Sequence, residues 1–242
     1  MLVPLERVRD LASENRARGR PHALLNALRA DGTNIIAEFK RRSPSKGVIR
    51  NGADPVQIAQ SYMAGGAMGI SVLTEEDYFD GSLEDLRMVK AVVDLPVLRK
   101  DFVFDEYQIY EAAAAGADSI LLIVAVLDDE LLLRLRQLAE DELSMDALVE
   151  VHASEEMRRA GDCGAALIGV NNRDLRTFDV SLETSVKLAG EAPLGAVLIS
   201  ESGLNTVSDL HRLKDFGYRG FLIGESLMRA DDPGEALREL VG

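Results

Sequence analysis

The sequence predicts an α/β fold, a closed (β/α)8 TIM barrel preceded by an N-terminal helical extension. Three observations carry that expectation. Eight short apolar runs of strand character alternate with eight helical patterns at intervals of a few tens of residues. Gly66, Gly116 and Gly217 fall where helices hand over to strands. No Gly-rich dinucleotide fingerprint follows the first strand, which counts against the rival, a doubly wound open sheet. A chain of 242 residues is an ordinary length for one barrel, and no linker, low-complexity segment or second domain interrupts it. The expected organisation is a single barrel domain over 1–242, with 1–33 as the extension.

Residues 4–30 read as helix. Leu5, Val8 and Leu11 make one apolar stripe, Gly19-Arg20-Pro21 breaks it, and Leu24, Leu25 and Leu28 resume it up to Asp31-Gly32. The segment has no place among the eight units, so it is expected to pack over the barrel mouth and shield the substrate, and its removal to leave a folded barrel. The strand candidates are 35–39, 69–73, 96–99, 118–123, 147–151, 166–170, 196–200 and 220–223. Helical patterns lie at 54–64, 82–93, 105–115, 128–141, 154–160, 181–189, 205–217 and 232–241. Plausible caps open several of them: Asp54-Pro55, Asp128, Ser154, Asn205 and Asp232-Pro233.

Composition excludes several classes of function. The formal net charge of −14 disfavours nucleic acid as a partner, because binding phosphate backbones needs a basic face. No apolar run approaches the roughly 20 residues that span a bilayer, and the N-terminus lacks the apolar core of a secretory signal. One cysteine, Cys163, excludes an intramolecular disulfide and fits a reducing, cytoplasmic setting. Three scattered histidines and that cysteine offer no metal-ligand spacing.

Barrel active sites lie at the C-terminal ends of the strands, and several of these ends are charged or polar. The first strand carries Glu38 and Lys40 on one face, with Ala37 and Phe39 on the other. Charges on a buried strand cost several kcal/mol each unless paired or used, and comparable groups recur on later strands. The third ends in Arg99-Lys100-Asp101, the fifth in Glu150-Val151-His152, the sixth in Asn171-Asn172-Arg173, the seventh in Glu201-Ser202-Gly203 and the eighth in Gly224-Glu225-Ser226. The fourth stays apolar. A barrel would bring Glu38, Lys40, Lys100, Glu150 and Asn171 to one mouth, where rim salt bridges are the alternative to catalysis. His152 shares a face with Glu150 and reads as a loop cap; His211 falls mid-helix. Glycines beside helix starts after strands seven and eight suit an anion, and these loops often bind phosphate in barrels.

In residues 36–47, 71–75 with 81–83, 96–102, 147–152, 168–175, 201–203 and 223–228, the chain resembles the indole-3-glycerol-phosphate synthase family. The segments run in family order, and the helical extension is a family feature too. The resemblance implies a carboxy-lyase of tryptophan biosynthesis. Its substrate, 1-(2-carboxyphenylamino)-1-deoxyribulose 5-phosphate, closes to indole-3-glycerol phosphate with loss of carbon dioxide and water, without cofactor or metal. It implies Lys100 as the acid at the ketone, Glu150 as the base of dehydration, and Lys40, oriented by Glu38, as the binder of the anionic substrate. Asn171 would bond the sugar chain, Ser202 belongs with the catalytic set, and Ser43, Arg173 and Glu201 would support the substrate. Phe79, Phe102 and Leu121 would pack on the anthranilate ring, while Gly203, Gly224 and the backbone of Glu225 would cradle phosphate. Crowding by positive charge and desolvation are expected to lower the pKa of Lys100. Two rivals share parts of this pattern: another phosphosugar enzyme such as an isomerase, and a barrel that binds without turnover. The expected partner is a small phosphosugar, and the expected state a monomer or weak homo-oligomer.

Overall fold

The computed structural model describes residues 3–174 and 176–242, so Leu175, the last residue of the fifth family-like segment, lies outside the described residues. Eight parallel strands close into a barrel in sequence order. They are β1 (Asn34–Phe39), β2 (Gly69–Leu73), β3 (Val97–Lys100), β4 (Ser119–Ile123), β5 (Asp146–Val151), β6 (Leu167–Asn171), β7 (Val197–Glu201) and β8 (Tyr218–Ile223). β8 returns to β1 with Ile36 opposite Leu222, which completes the ring.

Helices α1 (Leu5–Arg16) and α2 (Ala23–Leu28) precede the barrel. Those that follow are α3 (Pro55–Ala64), α4 (Leu83–Lys90), α5 (Glu106–Ala115), α6 (Asp129–Gln137), α7 (Ser154–Asp162), α8 (Glu183–Ala189), α9 (Val207–Asp215), α10 (Glu225–Arg229) and α11 (Pro233–Val241). The expected caps hold at Asp54, Asp128 and Asp232, whose carboxylates accept from first-turn N–H groups. Two differ. Ser154 is the first helical residue rather than the cap and donates its hydroxyl to Glu191, and α9 is capped by Thr206, one residue after Asn205, in a reciprocal box with Asp209. The short α10 and a hairpin pairing 42–43 with 47–48 had no periodic signal of their own, being too brief for one.

Alternation sorts the core into two layers. Outward residues such as Ile35, Ala37, Phe39, Val72 and Val149 meet the helices, while Ile36, Leu98, Leu121, Leu148, Leu167, Ile199 and Leu222 fill the barrel. The segment before β1 closes this interior from below rather than covering the mouth. Leu24 and Leu28 are fully buried in the inner cluster, and the Asp146 carboxylate, at the N-terminal end of β5, accepts from the N–H groups of Leu24 (2.8 Å) and Leu25 (3.1 Å). The Asn34 amide, at the start of β1, donates to the carbonyls of Leu28, Ala30 and Arg219. α1 lies along α5, its Asn15 amide bonded to the Ala114 carbonyl at 2.7 Å. The expectation of a lid is therefore corrected: the barrel's open lower end offers these leucines more apolar surface than the polar mouth does.

Candidate active site

The upper half of the interior changes character within one strand residue. Ile36, Leu98, Leu148 and Ile199 are followed two residues later, on the same face, by Glu38, Lys100, Glu150 and Glu201. These four side chains form a charged layer over an apolar floor. All fifteen residues singled out in the sequence line one cavity of about 1080 Å³ above it. Leu73, Leu121, Ile123 and Leu222 give it apolar lining, with Phe79 and Phe102.

Lys100 is the hub. Its Nζ stands 3.5 Å from Glu150 Oε2 and 3.4 Å from Glu201 Oε2. Burial alone would push the ammonium down, but Glu201, Glu150 and Glu38 together outweigh it and hold Lys100 above the ordinary lysine range. The expectation of a lowered pKa is thereby corrected: three carboxylates, not other cations, are the near neighbours. Lys40 Nζ reaches Glu38 Oε1 at 2.6 Å. Burial would raise the Glu38 carboxyl, but Lys40 and then Lys100 prevail and keep it below the usual carboxylate range.

Glu201 resolves differently. It is 1% exposed, and among the described residues no hydrogen-bond donor reaches either of its oxygens, Lys100 approaching only as an ion pair. Burial raises it, Lys100 pulls it back, Glu150 and Glu38 raise it again, and the carboxyl ends pushed up to about 7. Room for it comes from Gly169 on β6, where a Cβ would stand 2.1 Å from Glu201 Oε1. Glu201, expected only among the substrate supports, joins the converging set. Its period-two relation to Ile199, the same as that of Glu150 to Leu148, was the available signal.

The loops are set by their own polar contacts. Arg41 clamps the segment after β1: its guanidinium holds Asp85 in two contacts (2.7 and 2.8 Å), and its Nε donates to the Ala53 carbonyl. That anchors the loop bearing Ser43 and Lys46. Glu75 accepts from the N–H groups of Asp77, Tyr78 and Phe79, fixing the turn that presents Phe79. Asp101 accepts from Thr74 Oγ1 and Arg99 and from the N–H of Phe102, which orients Phe102 at the rim. Asn171 accepts the Arg173 N–H at 3.0 Å. Behind it, the Asn172 amide donates to Ser200 Oγ and to the carbonyls of Glu201 and Ser202, holding Ser202 (φ 67°) and Gly203 (φ 77°) left-handed.

The far wall is basic. Lys46 and Arg173 stand 3.8 Å and Arg229 3.3 Å from the Glu225 carboxylate at the start of α10. Lys46, in the turn of the 42–48 hairpin, and Arg229, at the end of the short α10, carry no periodic signal that marks them as site residues. Gly224 before them lies against Glu38, and a Cβ there would stand 2.6 Å from Glu38 Oε1. His152, read as a loop cap, does bond Glu156, but its Nε2 turns inward to 3.4 Å from Glu150 Oε1.

The architecture is shared with proteins of distant sequence: the fold superposes on a crystal structure of 3-hexulose-6-phosphate synthase with a TM-score of 0.69 at 15% identity, over 86% of this chain and 98% of that one. Closer likeness lies in sequence. The chain is 48% identical to the indole-3-glycerol phosphate synthase of Carboxydothermus hydrogenoformans over 99% of its own length and 92% of the relative's. It is 49% identical to that of Polaromonas naphthalenivorans over 91% and 83%. The family model for indole-3-glycerol phosphate synthase matches residues 3–240, essentially the whole barrel with its extension. With a charged layer, an apolar lining and a basic wall in one mouth, and with this likeness over nearly its whole length, the chain belongs to the indole-3-glycerol phosphate synthase family of carboxy-lyases.

Proposed function

We propose that the charged layer divides ring closure, decarboxylation and dehydration of 1-(2-carboxyphenylamino)-1-deoxyribulose 5-phosphate between Lys100 and Glu150. The observation that carries this reading is their placement: both face one cavity from different strands, with an apolar floor between them and the rim phenylalanines. The anthranilate ring lies on Leu121 between Phe79 and Phe102, and Lys40 pairs with its carboxylate. The phosphate reaches the opposite wall, taking backbone N–H groups at Gly203, Gly224 and Glu225. There it draws Lys46 and Arg173 away from the Glu225 side chain. Ser43, Ser202, Asn171 and Arg173 hold the chain between.

As the aryl carbon bearing the carboxylate attacks the ketone, the carbonyl oxygen becomes an alkoxide, and Lys100 gives it a proton. An ammonium held this firmly still yields to an alkoxide, the stronger base. The ring nitrogen, now an iminium, receives the electron pair of the breaking carboxylate bond, so carbon dioxide leaves without a cofactor. The new hydroxyl then departs as water, protonated by the Lys40 ammonium that the departed carboxylate has freed, while Glu150 takes the proton lost from the ring, restoring aromaticity. Replacing a positioned acid or base costs roughly 10²–10⁴-fold in rate. Lys100→Met is expected to leave substrate unconsumed. Glu150→Gln is expected to release carbon dioxide and stall before indole fluorescence appears. Rapid quench with mass detection distinguishes the two, and the same stalled species in both variants would refute the division. Among the described residues no helix is long and apolar enough to cross a membrane. We take the whole chain as one barrel domain acting in the cytoplasm as a monomer or weak homo-oligomer.

A further inference from the structure

We propose that His152 is a positioning residue for Glu150, held as an imidazolium between two carboxylates so that Glu150 keeps its aim. The proposal rests on the reading of Glu150 as the base of dehydration. Glu156, in the first turn of α7, accepts the His152 backbone N–H at 2.6 Å and faces the ring Nδ1 at 3.2 Å. Those two contacts set the ring plane. Nε2 is then turned into the barrel, 3.4 Å from Glu150 Oε1, and makes no other contact with a polar partner among the described residues.

A loop cap accounts for the first nitrogen and not for the second. A neutral imidazole has one donor and one acceptor, so between two carboxylates it would aim a lone pair at one of them. Only the imidazolium, with a proton on each nitrogen, suits both. The charged groups facing the ring come from several elements: Glu150 on β5, Glu156 on α7, Glu201 on β7 and Asp174 after β6. Lys100 lies on the far side of Glu150. Burial would lower the ring's pKa, but the Glu156 bond and the Glu150 charge outweigh it and carry the ring above the ordinary histidine range.

The purpose follows from the crowding. Glu150 is 2% exposed and shares its layer with Glu38 and Glu201, so like-charge repulsion presses on its orientation. A second cation, placed opposite Lys100, holds Oε1 while Oε2 faces the Lys100 ammonium, so the carboxylate is aimed from both sides.

His152→Gln keeps a donor within reach of Glu150 but removes the titrating charge. It is expected to lower kcat roughly tenfold with KM within about twofold, and to flatten the limb of the kcat–pH profile that falls as the imidazolium deprotonates. His152→Asn keeps the cap to Glu156 and loses the reach to Glu150, so it is expected to be at least as impaired. Native kcat in the asparagine variant, or a native pH profile in the glutamine variant, would overturn the proposal. A second readout does not depend on turnover. The chain has three histidines, so the His152 ring signal is assignable by its absence from the glutamine variant. In Glu150→Gln its pKa is expected to drop by about one unit, as the facing charge is lost. An unmoved ring pKa would overturn the pairing whatever the activity. A fully active Glu150→Gln enzyme would overturn the base assignment and with it the role given to His152, a failure that the shifted ring titration would tell apart from loss of the pairing.

Discussion

Glu201 makes the stability of this barrel depend on pH in a direction opposite to that of an ordinary paired carboxylate. Its folded pKa stands at about 7, against 4.5 unperturbed, so the unfolded chain ionises it more readily. The sign follows from linkage: below the unfolded value the group is neutral in both states and costs nothing, and as pH rises through the folded value the native state pays the full difference. Two and a half units at 1.36 kcal/mol each give about 3 kcal/mol. Glu201→Gln removes the titration while keeping the volume, and a neutral amide resembles the protonated acid. The variant is therefore expected to be more stable than the native enzyme by about 1 kcal/mol at pH 5 and about 3 kcal/mol at pH 8.5.

Urea unfolding followed by far-ultraviolet circular dichroism at the two pH values measures both differences, with equal m-values as the check that the unfolded states match. A gap that stays constant with pH, or a variant less stable at pH 8.5, would refute the reasoning, because either result means that Lys100 compensates the buried charge completely. Activity is expected to move the other way, since Lys100 loses one of the carboxylates that hold it. Stability gained with rate lost would mark Glu201 as a group kept for its chemistry against its cost to the fold.

Two further outcomes test the two ends of the barrel. Gly203→Ala places a Cβ 2.4 Å from Val180 Cγ1 at a backbone φ of 77°, and is expected to raise KM roughly tenfold with kcat within about threefold, because phosphate is gripped alike in the ground and transition states; steady-state kinetics with a collapsed kcat at native KM would contradict it. Leu28→Ala, at the sealed lower end, is expected to lower stability by about 2–5 kcal/mol with native kcat, and deletion of residues 1–30 to do greater damage; a truncated chain that melts like the native enzyme would return the segment to the role of a lid.

The barrel was legible because each strand is buried on both faces and each helix on one, which writes runs and stripes into the chain at regular spacing. The site was legible for the same reason: a charge two residues beyond a buried aliphatic is out of place unless the strand has reached the mouth. What escaped was whatever depends on which strands lie opposite one another across the interior. Nothing near Lys100 in the chain announces that Glu38, Glu150 and Glu201 converge on it, so the direction of its pKa shift could not be read. The fate of residues 23–28 escaped likewise, since Leu24 and Leu28 look alike at either end of a barrel, and Asp146 and Asn34, which anchor them at the lower one, are distant in sequence or unmarked by pattern. His152 was visible on the face of Glu150, but its second nitrogen acquires meaning only once Glu156 has fixed the first.

The charges in the mouth also bear on how one cavity receives a substrate carrying two anionic groups. In the layer, Glu38, Glu150 and Glu201 stand against Lys40, Lys100 and an ionised His152, three of each sign when Glu201 is ionised. The basic wall keeps a surplus of two positive charges, the single Glu225 carboxylate standing among Lys46, Arg173 and Arg229. A balanced layer beside a net-positive wall keeps the mouth from repelling an anion at short range, even though the molecule as a whole, with net charge −14, does so at long range. The arriving carboxylate tips the layer negative, and Glu201, with its pKa about 7, is the member able to answer by taking up a proton. Decarboxylation of an ionised acid consumes one proton per turnover. A carboxyl poised at neutrality beside Lys100 is well placed to supply it, which gives the barrel a reason to keep a third carboxylate where two would have balanced the lysines.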